Sequence, residues 1–133
     1  MKGVVLDASA LVVFFEAQPG TERVADLLSA ASQGTTRLMM NTVNWGEVYY
    51  SIWCTKGREA ANRAMAEIAQ CRIEIVEVGQ SLARLAAEFR IRHRLPYADC
   101  FAAALAYSRK ASLAATDSDF DRVKGTVSLY RLR

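Results

Sequence analysis

Short apolar runs alternate with helix-length segments along the whole chain, and this alternation limits the possible folds more than any other feature. "KGVVL" (2–6), "TRLMM" (36–40), "IEIVEV" (73–78), "ASLAA" (111–115) and "TVSLYRL" (126–132) read as strands. Between them lie segments with helical periodicity. "SALVVFFEA" closes before the Pro19-Gly20 pair, "TERVADLLSAAS" spaces Val24, Leu27 and Leu28 for a core, and residues 42–56 stop at Gly57. In that third helix Trp45, Val48, Tyr49, Ile52 and Trp53 keep the i, i+3, i+4, i+7, i+8 spacing of one buried face. "REAANRAMAEIAQ" and "SLARLAAEFRIRHR" follow, the latter ending before Pro96, which disfavours helical geometry in the residue ahead of it. "YADCFAAALAYS" is apolar on nearly every side and predicts a buried helix, and "SDFDRV" predicts a short one. Neighbouring parallel strands need crossover helices, so the pattern implies an α/β sandwich with a parallel sheet.

The size of the chain, 133 residues with 52% hydrophobic content, suits a single domain spanning 1–133 with one core region. The apolar stretches "ALVVFF" and "FAAALAY" fall well short of the roughly 20 residues that cross a bilayer. Asp7 interrupts the apolar N-terminal run, which a secretory signal avoids, so a cytoplasmic protein without membrane association is expected. Cys54, Cys71 and Cys100 form no CxxC pair and His93 is the sole histidine, which supports neither a disulfide framework nor a zinc site. A net charge of +3 favours a polyanionic partner only weakly.

In open parallel sheets, ligands bind beyond the carboxyl ends of the strands, where the strand order reverses. Asp7 follows the first strand and Asp117 the fourth, so two acids remote in the chain occupy equivalent places. Asp99 lies in the first turn of the most apolar helix, and Glu47 on the margin of an apolar face; a carboxylate in such surroundings carries a desolvation cost unless it is met by a cation or donor. Each also has an ordinary structural explanation. Asp7 and Asp117 suit N-caps, Asp99 complements a helix dipole, Glu47 suits a solvated helix edge, and Asp119 and Asp121 suit the opening turn of the last short helix. Convergence would change that balance. Carboxylates about 4 Å apart repel by about 4 kcal/mol at an effective dielectric of 20, and a divalent cation compensates. A ligand set of hard oxygens alone favours Mg2+ or Mn2+ and supports phosphodiester chemistry.

Rival motifs fail on spacing. "DSDFD" matches the opening ligands of an EF-hand, but Arg122 stands at the required glycine and Ser128 at the bidentate glutamate. Ser9 occupies the position where a phosphoaspartate hydrolase carries its second aspartate, and the chain has no Walker glycine loop.

Taken together, "VVLDASALVVFFE", "NTVNWGEVYYS", "LPYADCFAAALA" and "LAATDSDFDRV" resemble the signature blocks of PIN-domain nucleases, in the order and spacing of the small VapC-like toxins of type II toxin-antitoxin pairs. The resemblance covers essentially the whole chain. It implies a three-layer α/β/α sandwich with strand order 3-2-1-4-5 and a Mg2+- or Mn2+-dependent endoribonuclease that leaves 5′-phosphate and 3′-hydroxyl ends. On that resemblance Asp7, Glu47, Asp99 and Asp117 match the catalytic, metal-binding quartet, and Asp119 matches a frequent additional metal-site acid. Ser9 matches a small polar position supporting the first aspartate, and Thr116 a hydroxyl supporting the fourth acid. Many relatives place that hydroxyl two residues before the acid, whereas Thr116 is adjacent to Asp117. The implied partners are an RNA substrate, a cognate antitoxin and a second copy of the chain in a homodimer. The competing readings are an RNA-processing or DNA nuclease without an antitoxin, and a noncatalytic PIN-like binding module. "RIRHR", residues 90–94, supplies either an RNA contact or a solvated helix end that complements the dipole. His93 reads as a surface or packing residue, and Trp45 and Trp53 as core.

Overall fold

A computed structural model describes residues 2–133. The strands are β1 (Lys2–Leu6), β2 (Thr36–Asn41), β3 (Ile73–Val76), β4 (Ser112–Ala115) and β5 (Leu129–Arg131). The helices are α1 (Ala8–Phe15), α2 (Thr21–Ser32), α3 (Thr42–Lys56), α4 (Arg58–Gln70), α5 (Gln80–His93) and α6 (Tyr97–Arg109). A 3-10 segment covers Ser118–Val123. All strand pairings are parallel, as the alternating pattern implied, and the sheet order is β3-β2-β1-β4-β5, as the family resemblance implied.

The period of two along each strand divides the core into two layers. Val4 and Leu6 of β1, Leu38 and Met40 of β2 and Ala114 of β4 face the layer formed by α1, α2, α3 and α4. Val5, Met39 and Leu113 face the opposite layer, built on α5 and α6. In α6 the run Ala102–Ala106 is buried throughout, because small side chains let the helix lie close between the sheet and its neighbours. Phe120 anchors the 3-10 segment in the same layer, and burying such a ring contributes about 1.5–3 kcal/mol.

The structure corrects several element boundaries. β5 begins at Leu129, not at 126, because the Thr126 and Val127 amides both donate to the Val123 carbonyl at 2.8 Å. Its ladder then matches the short β4, from Leu113↔Leu129 to Ala115↔Arg131. β3 stops at Val76, opposite the last residue of β2, and the Val78 amide donates to the Thr42 hydroxyl instead of to a strand. The tryptophans of α3 are also not core: Val48 and Ile52 are buried, but Trp45 is 38% and Trp53 43% exposed. Periodicity identified the apolar face correctly but not how much of it a neighbour covers. Trp53 lies at the edge, in a T-shaped contact with Tyr49 and under the Arg58 guanidinium at 5.0 Å.

Gly20, the left-handed N-cap of α2, lies against the backbone that follows β5. It has φ of 107°, and a Cβ there would lie 2.8 Å from the Leu132 carbonyl oxygen. Gly20→Ala combines left-handed strain with a backbone clash, so it should destabilise the protein by roughly 1–3 kcal/mol with no change at the strand ends. Thermal unfolding of the variant checks this, and an unchanged melting temperature would refute it.

Candidate active site

The strand order reverses at β1, which pairs with β2 on one side and β4 on the other. Asp7 follows β1 directly. Its amide extends the sheet ladder to the Ala114 carbonyl at 3.0 Å, and its Oδ2 accepts from the Ser9 amide at 3.2 Å, capping α1. Capping therefore fixes the rotamer of one carboxylate oxygen and leaves the other free. Asp7 is only 4% exposed, and among the described residues its Oδ1 has no hydrogen-bond partner. Burial raises its pKa, and the charge of Asp117 adds to the effect, although the Ser9 bonds oppose it.

Ser9 joins the two strand exits, its Oγ accepting from the Thr116 amide at 3.2 Å. Thr116 therefore contributes its backbone N–H to the arrangement. Asp117 caps the 3-10 segment by accepting from the Asp119 amide at 2.8 Å. The cap and the acid at the strand end are one residue here, as they are at Asp7. Asp121 points elsewhere and pairs with Arg131.

Asp99 comes from the first turn of α6. A carboxylate oxygen from each of Asp99, Asp117 and Asp119 can be chosen so that all lie within 4.8 Å of one another. Burial first, then the charges of Asp7, Asp117, Glu47 and Asp119, push the Asp99 carboxyl up to about 7. Glu47 projects from α3 and is half-buried. Desolvation raises its pKa, a hydrogen bond from Asn44 opposes the shift, and the charge of Asp7 adds to it. Asp7, Ser9, Glu47, Asp99 and Asp117 line one cleft of about 570 Å3, with Asp119 grouped beside it.

This donor set fits a hard divalent cation. Among the described residues every candidate ligand is a carboxylate, none lining the cleft is a thiol or an imidazole, and the buried Asp7 Oδ1 lacks a hydrogen-bonding partner.

Some polar groups at the cleft were not evident from sequence reasoning. Arg133 lines it from the C-terminal side, while its Nε donates to the Pro19 carbonyl at 3.2 Å. Nothing in the sequence signals this, because it depends on the path after β5. Asn44 and Asn41 are buried behind Glu47, and here a signal existed: residues 41, 44 and 47 fall at successive one-turn spacings on the third helix and its cap.

The basic run 90–94 serves the end of α5. Arg90 donates to the Leu95 carbonyl at 3.3 Å, Arg92 lies 3.9 Å from Glu88, and Arg94 is the left-handed C-cap. His93 stacks on Phe89 at 5.3 Å, away from the acids. Arg122 bridges the two regions, 3.6 Å from Asp119 and donating to the Arg94 carbonyl at 3.0 Å.

A parallel sheet reversing at β1, with carboxylates gathered beyond that point, defines a three-layer protein with an acidic ligand cleft at the switch point. Residues 4–126 match the family model of the PIN domain, and the chain belongs to that family. Solved structures share the fold. The Rickettsia felis VapBC2 complex, bound to a DNA fragment from its promoter, contains a chain that superposes with a TM-score of 0.78 at 16% identity, covering 97% of this chain and 98% of the other. Mycobacterium tuberculosis VapC20, a toxin that cleaves the sarcin-ricin loop, gives 0.74 at 20% identity, with 93% and 96% covered. VapBC-1 from nontypeable Haemophilus influenzae gives 0.72 at 17%, with 98% of each chain covered. No individually curated protein matches the chain in sequence.

Proposed function

We propose that this protein is a Mg2+- or Mn2+-dependent endoribonuclease and the toxin of a toxin-antitoxin pair. The observation that carries the reading is the convergence of Asp7, Glu47, Asp99, Asp117 and Asp119 at the switch point, with the Asp7 Oδ1 buried and unpartnered. A divalent ion bound there supplies water activation and charge stabilisation for phosphodiester hydrolysis. Asp7, Asp99, Asp117 and Asp119 would hold it, with Glu47 completing the set from α3. Ser9 keeps the exits of β1 and β4 in register, so the Asp7 and Asp117 carboxylates stay aligned. VapC20 is a sarcin-ricin loop cleaving toxin and a similar chain comes from a toxin-antitoxin complex of Klebsiella pneumoniae, which supports RNA as substrate and a cognate antitoxin as partner. The exposed aromatics Trp45, Tyr50 and Trp53 on the Glu47 helix offer an apolar surface for that antitoxin. A homodimer and a cytoplasmic setting complete the reading. The described chain has no helix long and apolar enough to cross a membrane.

The decisive experiment is sequencing of RNA 5′ ends after expression of wild type and Asp7→Asn in parallel. New 5′-phosphate ends should appear with wild type only. Identical profiles would favour a noncatalytic module.

A phosphodiester substrate brings negative charge to a negatively charged cleft, so a cation at the wall is needed to seat it. Arg133 is placed for that role. Arg133→Ala should raise KM for a short RNA several-fold with kcat largely retained, and should leave Mn2+ affinity no weaker. An unchanged KM in steady-state kinetics would refute the contact.

A further inference from the structure

Behind the acids lies a buried amide relay that the carboxylate set does not account for. Asn41, the last residue of β2, and Asn44, in the first turn of α3, are both 0% exposed. The Asn41 Nδ2 donates to the Asn44 Oδ1 at 2.8 Å, and the Asn44 amide donates back to the Asn41 Oδ1 at 2.9 Å. Both hydrogens on the Asn44 Nδ2 are used: one goes to the Glu47 Oε1 at 2.8 Å, the other to the Ala98 carbonyl at 3.1 Å. A primary amide with no solvent contact is costly unless its bonds are made, and here they are made to the groups that carry the site.

We propose that Asn44 is a positioning residue that sets the Glu47 carboxylate and the start of α6 in one geometry for a divalent cation. The inference rests on the metal-site reading above and deepens it. Glu47 sits on α3 and Asp99 on α6, elements far apart in the chain, and their spacing across the cleft must be held against mutual repulsion. Asn44 is bonded to both sides: to the Glu47 side chain and to the residue preceding Asp99. Its own orientation is locked by Asn41, whose place is set by the pairing of β2 with β3 at Asn41↔Val76. The donation also restrains the Glu47 carboxylate, because its Oε1 is engaged by the Asn44 side-chain amide. Outer groups that orient metal ligands in this way typically contribute about ten- to a hundredfold in affinity.

The test is a double-mutant cycle on Mn2+ affinity by calorimetry, using wild type, Asn44→Ala, Glu47→Gln and the double variant, with melting temperatures taken without metal. Asn44→Ala should weaken Mn2+ about ten- to a hundredfold. In the Glu47→Gln background it should cost far less than in wild type, because it acts largely through the ligand already altered. A purely structural amide would lower the metal-free melting temperature equally in both backgrounds and leave the affinities alone or additive, and that result would overturn the proposal. Wild type that takes up no Mn2+ would instead overturn the metal-site reading itself, and the proposal with it. Should Asn44→Ala not fold, Glu47→Ala leaves Asn44 intact. Its Asn44 side-chain amide resonances should then move upfield in NMR spectra as the hydrogen bond is lost, and unmoved resonances would overturn the proposal.

Discussion

Asp99→Asn should cut RNA cleavage by at least about a hundredfold while making the metal-free protein more resistant to heat above neutral pH. Both effects follow from the placement of this carboxyl. The substitution keeps the side-chain shape in the first turn of α6 and removes one carboxylate oxygen from the acid group it forms with Asp117 and Asp119. Activity falls because charge stabilisation at the reacting phosphate depends on a correctly held ion. Stability rises because burial and the surrounding acids have pushed the Asp99 carboxyl from its ordinary value of 3.8 up to about 7. The unfolded chain releases that proton near pH 4 and the folded chain retains it to about pH 7. Across that window the native state binds the extra proton, so wild-type stability declines as pH rises. The amide has no proton to release and acquires no charge, so the variant escapes that part of the decline. Thermal melts at pH 5 and pH 8, with cleavage assays on the same preparations, test the pair of effects. Full cleavage by a pure Asp99→Asn preparation would remove Asp99 from the site. Equal pH dependence in the two proteins would show that its carboxyl is not the strained group.

A position where neutralisation improves the fold and abolishes the activity is one held for function at the expense of stability. The same logic explains why parts of this site were legible in the sequence. Asp7 and Asp117 stand directly after the apolar runs that become β1 and β4, and strand ends are where a parallel sheet exposes its ligand site. Asp99 was visible as a charge at the head of the apolar α6, and Glu47 as an acid beside a core stripe. Capping and site roles, which compete when read from sequence, coexist in the structure: Asp7 and Asp117 each cap with one oxygen and keep the other available. Groups that reach the cleft through tertiary paths were not legible. Arg133 arrives from beyond β5, and although the one-turn spacing of Asn44 and Glu47 is visible in the sequence, the bond from Asn44 to the Ala98 carbonyl exists only because α6 packs against α3. The exposure of Trp45 and Trp53 belongs to the same class. The helical period fixes which residues share a face, but not how far α4 and α1 extend over it.

Titrating Mn2+ into metal-free protein should raise its melting temperature strongly at pH 8 and much less at pH 5.5. Burial and neighbouring charge raise the pKa values of Asp7, Glu47 and Asp99 alike, so in acid the site holds protons that an ion must displace. As pH rises through about 7 the Asp99 carboxyl loses its proton and its charge repels the neighbouring acids; stability without metal falls while affinity for the ion grows. The two curves therefore diverge with pH. At a free ion concentration a hundred times the dissociation constant, mass action contributes about 2.7 kcal/mol. For a domain of this size that corresponds to a shift on the order of 10 °C. Binding near pH 6 must also release protons, so calorimetric enthalpies measured in buffers of different ionisation enthalpy should differ in proportion. A melting temperature at pH 8 that ignores Mn2+, or enthalpies independent of the buffer, would mean that these carboxylates do not hold an ion. The buried and unpartnered Asp7 Oδ1 would then need another explanation.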